Sequence, residues 1–201
     1  MKLLRLVLNI WMGLFYRAKV TGAENVPMES GAVLCSNHIY KKDLLLLGFR
    51  LKRRVRWLAK SELFENKAIG RFLAYLGAFP VKRGKSDRDA VKKIYGLLAD
   101  GEVVGIFPEG TRIVDRAARP EAKRGFVTFA LKAKVPIVPA AVAYGPSPIG
   151  WGQVFSKVKV VFFEPFEFDF DKQYSNSELD AIGKQIMEGI YTEVDGFMGD
   201  K

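Results

Sequence analysis

The stretch Ala32-Val33-Leu34-Cys35-Ser36-Asn37-His38-Ile39-Tyr40-Lys41-Lys42-Asp43-Leu44-Leu45-Leu46-Leu47-Gly48-Phe49-Arg50-Leu51 decides the fold. Its first five residues are a short apolar run closed by Asn37, the pattern of a buried strand. Residues 43–51 carry helical spacing opened by an acidic residue. Between strand and helix lies a polar turn that holds His38, the single histidine of the chain.

The same alternation continues outward. Runs at 55–60, 78–82, 103–107 and 137–144 read as strands, with another at 157–163. Helical spacing falls at 62–76, 87–98 and 125–134, and a closing helix at 177–194 is capped near Asn176 or Ser177. The prediction is an α/β fold, a largely parallel twisted sheet flanked by helices, with one domain at 26–201 preceded by a segment at 1–25. Ligands of open α/β sheets bind beyond the carboxyl ends of the strands. Asn37, His38, Arg83 and the run Glu109, Gly110, Thr111, Arg112 all fall just after predicted strands.

With 201 residues, 49% hydrophobic and 27% charged, the chain supports one sizeable core. One cysteine and one histidine leave no disulfide framework and no Cys/His zinc site, so no metal is expected. Cys35, inside an apolar run, reads as a buried, inert thiol. A net charge of +10 points to anionic partners: nucleic acid, phospholipid head groups or a phosphorylated substrate. The basic residues at 52–56, 82–88 and 112–124 form no nucleic-acid-binding motif and no aromatic platform, so nucleic acid is not expected.

Residues 1–16 are mostly apolar, too short and interrupted to span a bilayer, and followed by no small-residue cleavage site. On a helix, Leu3, Leu6, Val7, Ile10, Leu14 and Phe15 share a broad face, with Trp11 and Tyr16 as head-group anchors. This predicts an interfacial helix and a peripheral or monotopic protein at the cytoplasmic face of the cell membrane. Residues 63–76 offer a second apolar surface, although their spacing reads first as a core helix.

His38 and Asp43 are five residues apart, about 140° on an uninterrupted helix, and cannot share a face there. They meet if His38 belongs to the turn and Asp43 opens the next helix. A carboxylate is favoured at that helix end and can accept from imidazole Nδ1, which leaves Nε2 as a base for an incoming hydroxyl. In Phe107-Pro108-Glu109-Gly110-Thr111-Arg112, Gly110 lets backbone N–H groups approach a ligand and Arg112 offers a bidentate fork for phosphate. Glu109 either holds that arginine or accepts from a substrate hydroxyl. Two other chemistries fail on residues: Gly145-Pro146-Ser147-Pro148-Ile149 lacks the last glycine of a serine nucleophile elbow, and Phe79 stands where a P-loop ending in Gly84-Lys85-Ser86 needs glycine.

Together these segments resemble the glycerophospholipid acyltransferase family, specifically bacterial 1-acylglycerol-3-phosphate acyltransferases. Asn37-His38 with Asp43 matches the first family block, NHxxxxD. Gly77-Ala78-Phe79-Pro80-Val81-Lys82-Arg83 is similar to the second, residues 107–112 match the third, FPEGTR, and Val135-Pro136-Ile137-Val138-Pro139 the fourth. The resemblance implies that His38 is the general base and Asp43 orients it, with direct attack on an acyl thioester and no acyl-enzyme. It also implies that Lys60, Arg83, Glu109, Gly110, Thr111 and Arg112 bind the acceptor and its phosphate. The implied acceptor is a lysophospholipid, and the donor acyl-CoA or acyl carrier protein, a co-substrate in place of any cofactor. Where many relatives carry a serine or aromatic residue and a proline, this chain has Tyr40, Lys41, Lys42 and Leu44. The two lysines help hold an anionic substrate if they point inward, and otherwise face water.

Overall fold

The computed structural model describes residues 10, 13, 18–49, 51–82, 87–113, 119–145 and 156–199. The helix predicted over 1–16 lies outside these residues apart from Ile10 and Gly13, and Arg83 also lies outside them. In chain order the strands are β1 (Ala18–Thr21), β2 (Ala32–Ser36), β3 (Val55–Lys60), β4 (Phe79–Val81), β5 (Val103–Ile106), β6 (Ile137–Tyr144) and β7 (Val158–Phe162). The helices are α1 (Asp43–Phe49), α2 (Lys67–Tyr75), α3 (Arg88–Ala99), α4 (Gly125–Ala133) and α5 (Asn176–Gly199), with 3-10 turns at Ala23–Asn25 and Ser61–Phe64.

One sheet takes all these strands in the order β1-β7-β6-β2-β5-β3-β4. The five strands from β6 to β4 run parallel, while β7 is antiparallel to β6 and β1 is parallel to β7. The largely parallel sheet expected from the sequence is therefore present. β2 and β6 are buried at every residue, as continuous apolar runs covered on both faces should be. β1 alternates between half-buried and exposed residues at the sheet's edge. Its four short residues carried too little apolar pattern to be read as a strand, and the sheet thus includes residues assigned above to the segment 1–25. Pro139 fits the buried β6 because it lies just past the last β6–β7 pair, Ala140 with Phe162, and its carbonyl accepts from Phe163 N–H at 2.9 Å.

Two cores cover the two faces. One packs α1 residues Leu46 and Leu47 on Leu34, Trp57, Val103 and Val142. The other packs Ile94 and Leu98 of α3, Phe126 and Val127 of α4, and Met187, Ile190 and Val194 of α5 on Val33, Val104 and Ala141. The helix predicted over 62–76 is corrected in extent and in role. A 3-10 turn comes first, and Asn66 then caps α2 by accepting from Ala68 N–H and Ile69 N–H at 3.0 and 3.1 Å. Gly70 is the one buried residue of α2, so it is not a core helix.

Candidate active site

Parallel register brings the carboxyl ends of β2, β5 and β3 side by side, with Cys35 opposite Ile106 and Trp57 opposite Gly105. Gly105 is glycine for a steric reason: a Cβ there would come within 2.4 Å of two Trp57 ring carbons. The Trp57 indole therefore lies across β5 and stacks on Phe107 at 5.1 Å between centroids. Phe107 in turn stacks on the His38 imidazole at 4.0 Å and 14°. This aromatic pile fixes the plane of the histidine ring.

Asp43 opens α1, as the spacing required, and its carboxylate is fully buried. Oδ2 accepts from His38 Nδ1 at 3.0 Å and from the backbone N–H groups of Ile39 and Tyr40 at 2.6 and 2.8 Å. Oδ1 accepts from the Tyr144 hydroxyl at the end of β6. Each oxygen of the buried acid thus has a donor, which offsets the cost of taking it out of water. With Nδ1 committed to Asp43, Nε2 is the atom of His38 left to meet a substrate. The His38 side chain keeps 14% of its surface open to solvent. Behind it, the Asn37 amide donates to the Val142 carbonyl at 2.9 Å and accepts from Val142 N–H at 2.8 Å, locking the end of β2 to β6.

The loop after β5 is tied to the same turn by Ile113 N–H, which donates to the His38 carbonyl at 2.6 Å. Gly110 sits at φ +67, where a side chain is strained, and a Cβ added there would lie 3.3 Å from the Lys123 ammonium. Thr111 and Arg112 are exposed, and among the described residues Arg112 forms no ion pair. Glu109 does not hold Arg112. It is buried and accepts from the Tyr191 hydroxyl of α5 at 3.0 Å, while Oε2 has no hydrogen-bond partner among the described residues. Burial pushes its carboxyl up to about 7, against the pull of nearby backbone N–H groups and the Tyr191 hydroxyl. Burial, reinforced by the Glu109 charge, likewise pushes the Cys35 thiol up, consistent with an inert side chain.

A pocket of about 230 Å³ opens beside His38. Leu58, Val81, Ile106, Phe126 and Phe129 supply apolar wall, and Gly110 and Lys123 line another part. Lys60, at the end of β3, pairs with Glu62 at 3.0 Å on the surface. Of the two lysines in the turn, Lys41 faces water, whereas Lys42 is half-buried with its ammonium 5.1 Å from the ring centroids of both Tyr40 and Tyr144. Burial lowers the Lys42 pKa, and the Asp43 charge opposes that shift. Tyr144, Lys123 and Tyr191 were not singled out from the sequence. Tyr144 carried one signal, a hydroxyl ending an otherwise apolar strand. The other two sit at ordinary helix and pre-helix positions and gave none.

A buried carboxylate holding one imidazole nitrogen, with the other facing a half-apolar pocket at the strand ends, defines a site that can activate a hydroxyl by general-base chemistry. The sequence pattern of the acyltransferase family matches residues 17–143, and the chain belongs to that family. It is 37% identical over 187 residues to the 1-acyl-sn-glycerol-3-phosphate acyltransferase of Bacillus subtilis, covering 91% of each chain. It is 32% identical over 126 residues to the protein of the same name from Borreliella burgdorferi, covering 61% of this chain and 50% of that one. The crystal structure of the 1-acyl-sn-glycerophosphate (LPA) acyltransferase of Thermotoga maritima shares the fold at a TM-score of 0.66 and 24% identity. That match covers 90% of this chain and 71% of the other.

Proposed function

We propose that this acyltransferase moves a fatty acyl group from an acyl thioester to the sn-2 hydroxyl of 1-acylglycerol-3-phosphate, giving phosphatidic acid. The observation that carries this reading is the Asp43-held imidazole of His38 beside the pocket. His38 Nε2 takes the proton of the acceptor hydroxyl as its oxygen attacks the thioester carbonyl. The tetrahedral intermediate then expels the thiolate, which receives that proton back from His38. Asp43 stabilises the imidazolium between the two transfers, and no acyl-enzyme is needed. The apolar wall suits hydrocarbon. Arg112 and Lys123, with Arg83 and Lys60, supply cationic groups for the phosphate, and Gly110 and Thr111 shape the loop that presents them. No cofactor is needed beyond the thioester, either acyl-CoA or acyl carrier protein.

The site works at a membrane surface in this reading, with residues 1–16 as an interfacial anchor at the cytoplasmic face of the cell membrane. The identities with 1-acyl-sn-glycerol-3-phosphate acyltransferases and the +10 charge support it. The test is a matrix of acceptors and donors. 1-Acylglycerol-3-phosphate, glycerol 3-phosphate and a lysophospholipid without a phosphomonoester are each paired with acyl-CoA and acyl carrier protein. Fastest turnover with 1-acylglycerol-3-phosphate is expected. Preference for either other acceptor would overturn the assignment, as would salt-sensitive oligonucleotide binding without any turnover.

A further inference from the structure

Helix α2 sits on the protein with its apolar side outward. Gly70 and Leu73 turn toward the domain. At 3.6 residues per turn, the opposite side carries Ala68, Phe72 and Tyr75, flanked by Ile69 on one edge and by Lys67 and Arg71 on the other. Leu63, in the 3-10 turn just before, extends the same exposed segment. Leu63, Ile69, Phe72 and Tyr75 expose 44, 47, 52 and 41% of their surface. They are four of the eight large apolar side chains exposed among the described residues, gathered in thirteen consecutive positions, and so form a patch and not a scatter.

We propose that this face is a docking surface for an anionic lipid leaflet, separate from residues 1–16. The claim rests on the reading above that the acceptor is a lipid. Charge selects the occupant: α2 itself carries Lys67 and Arg71 and no acidic residue, the preceding turn's Glu62 is paired with Lys60, Glu65 is the one other acid of the segment, and the chain as a whole has a net charge of +10. An exposed helix with aromatic and aliphatic side chains beside basic ones is built to lie in the head-group boundary. Placement agrees. The turn Ser61–Phe64 leaves directly from Lys60 at the end of β3, two residues past the pocket-lining Leu58, so the face begins at the rim of the site.

The experiment uses the full chain, the double variant Ile69→Asp/Phe72→Asp, the charge variant Lys67→Glu/Arg71→Glu and the control Val91→Asp, which alters an exposed apolar residue of α3. Flotation is measured with vesicles of phosphatidylglycerol and phosphatidylethanolamine and with pure phosphatidylcholine. Turnover is measured in parallel on a short-chain, water-soluble 1-acylglycerol-3-phosphate. Expected are binding to the anionic vesicles weakened about tenfold or more in the double variant, a smaller loss in the charge variant, no change in the control, and short-chain turnover within about twofold of the parent throughout. Unchanged flotation of the double variant overturns the proposal. So do equal binding of the parent to phosphatidylcholine, loss of short-chain turnover in both variants, and a parent dimer in solution that the double variant abolishes. Absence of short-chain turnover in the parent itself would instead count against the proposed function.

Discussion

The two sides of the site are built differently. Around Asp43 both carboxylate oxygens have donors: three N–H groups from residues 38–40 on one and the Tyr144 hydroxyl on the other. The His38 ring is fixed further by its stack on Phe107 and Trp57. Across the pocket, the loop after β5 leaves Arg112 exposed without an ion pair among the described residues, and one oxygen of buried Glu109 without a hydrogen bond. The contrast separates two tasks. A general base gains from being held in its reactive geometry before substrate arrives. A phosphate-binding loop gains from cations that the ligand itself will engage.

Breaking the preorganised side should cost most. Asp43→Asn removes the charge that stabilises the imidazolium and frees the tautomer, so kcat should fall on the order of 10³-fold with acceptor KM little changed. Circular dichroism and steady-state kinetics check it. Arg112→Ala tests the opposite side: acceptor KM should rise by about 10- to 100-fold while kcat stays within a few-fold. A kcat loss with unchanged KM would erase the proposed division of tasks. Tyr144→Phe removes one neutral donor from buried Asp43, and about a tenfold lower kcat with about 1–2 kcal/mol of lost stability is expected from turnover and denaturant melts.

The smallest expected change is one of stability: Glu109→Gln alters its pH dependence. The folded carboxyl titrates near 7 because burial disfavours its charge, above the ordinary value of 4.5. The folded protein thus holds this proton more tightly than the unfolded chain. Its contribution is fully present below 4.5 and is lost as pH rises through about 7. Melts of the Gln variant should be flatter between those pH values and show a gain on the order of 1–3 kcal/mol over the parent at pH 8. A parallel pH profile in the two proteins would contradict the origin of the shift.

Much of this arrangement was legible in residues. β2 and β6 begin and end where the apolar runs do, because strands buried on both faces are continuous in pattern, and β3 keeps the expected bounds with an alternating one. His38 and Asp43 were legible because five residues fit a turn followed by a helix start, and the family blocks pointed to the same pair. β1 was not, being four residues long and supported mainly by its partner β7. Tyr144 and Tyr191 reach the site from 101 and 82 positions away along the chain, contacts that only tertiary packing creates. The face of α2 was legible only in part: residues 63–76 offered an apolar surface, but periodicity reveals that a helix has an apolar side, not which way that side points, and a core helix was the first reading.

The most direct test of the central claim is formation of phosphatidic acid from 1-acylglycerol-3-phosphate and an acyl thioester by the parent and by His38→Ala, both at saturating acceptor. The account predicts steady product from the parent and a rate at least about 10³-fold lower in a variant that melts like the parent. A His38→Ala protein that turns over within about tenfold of the parent would contradict it.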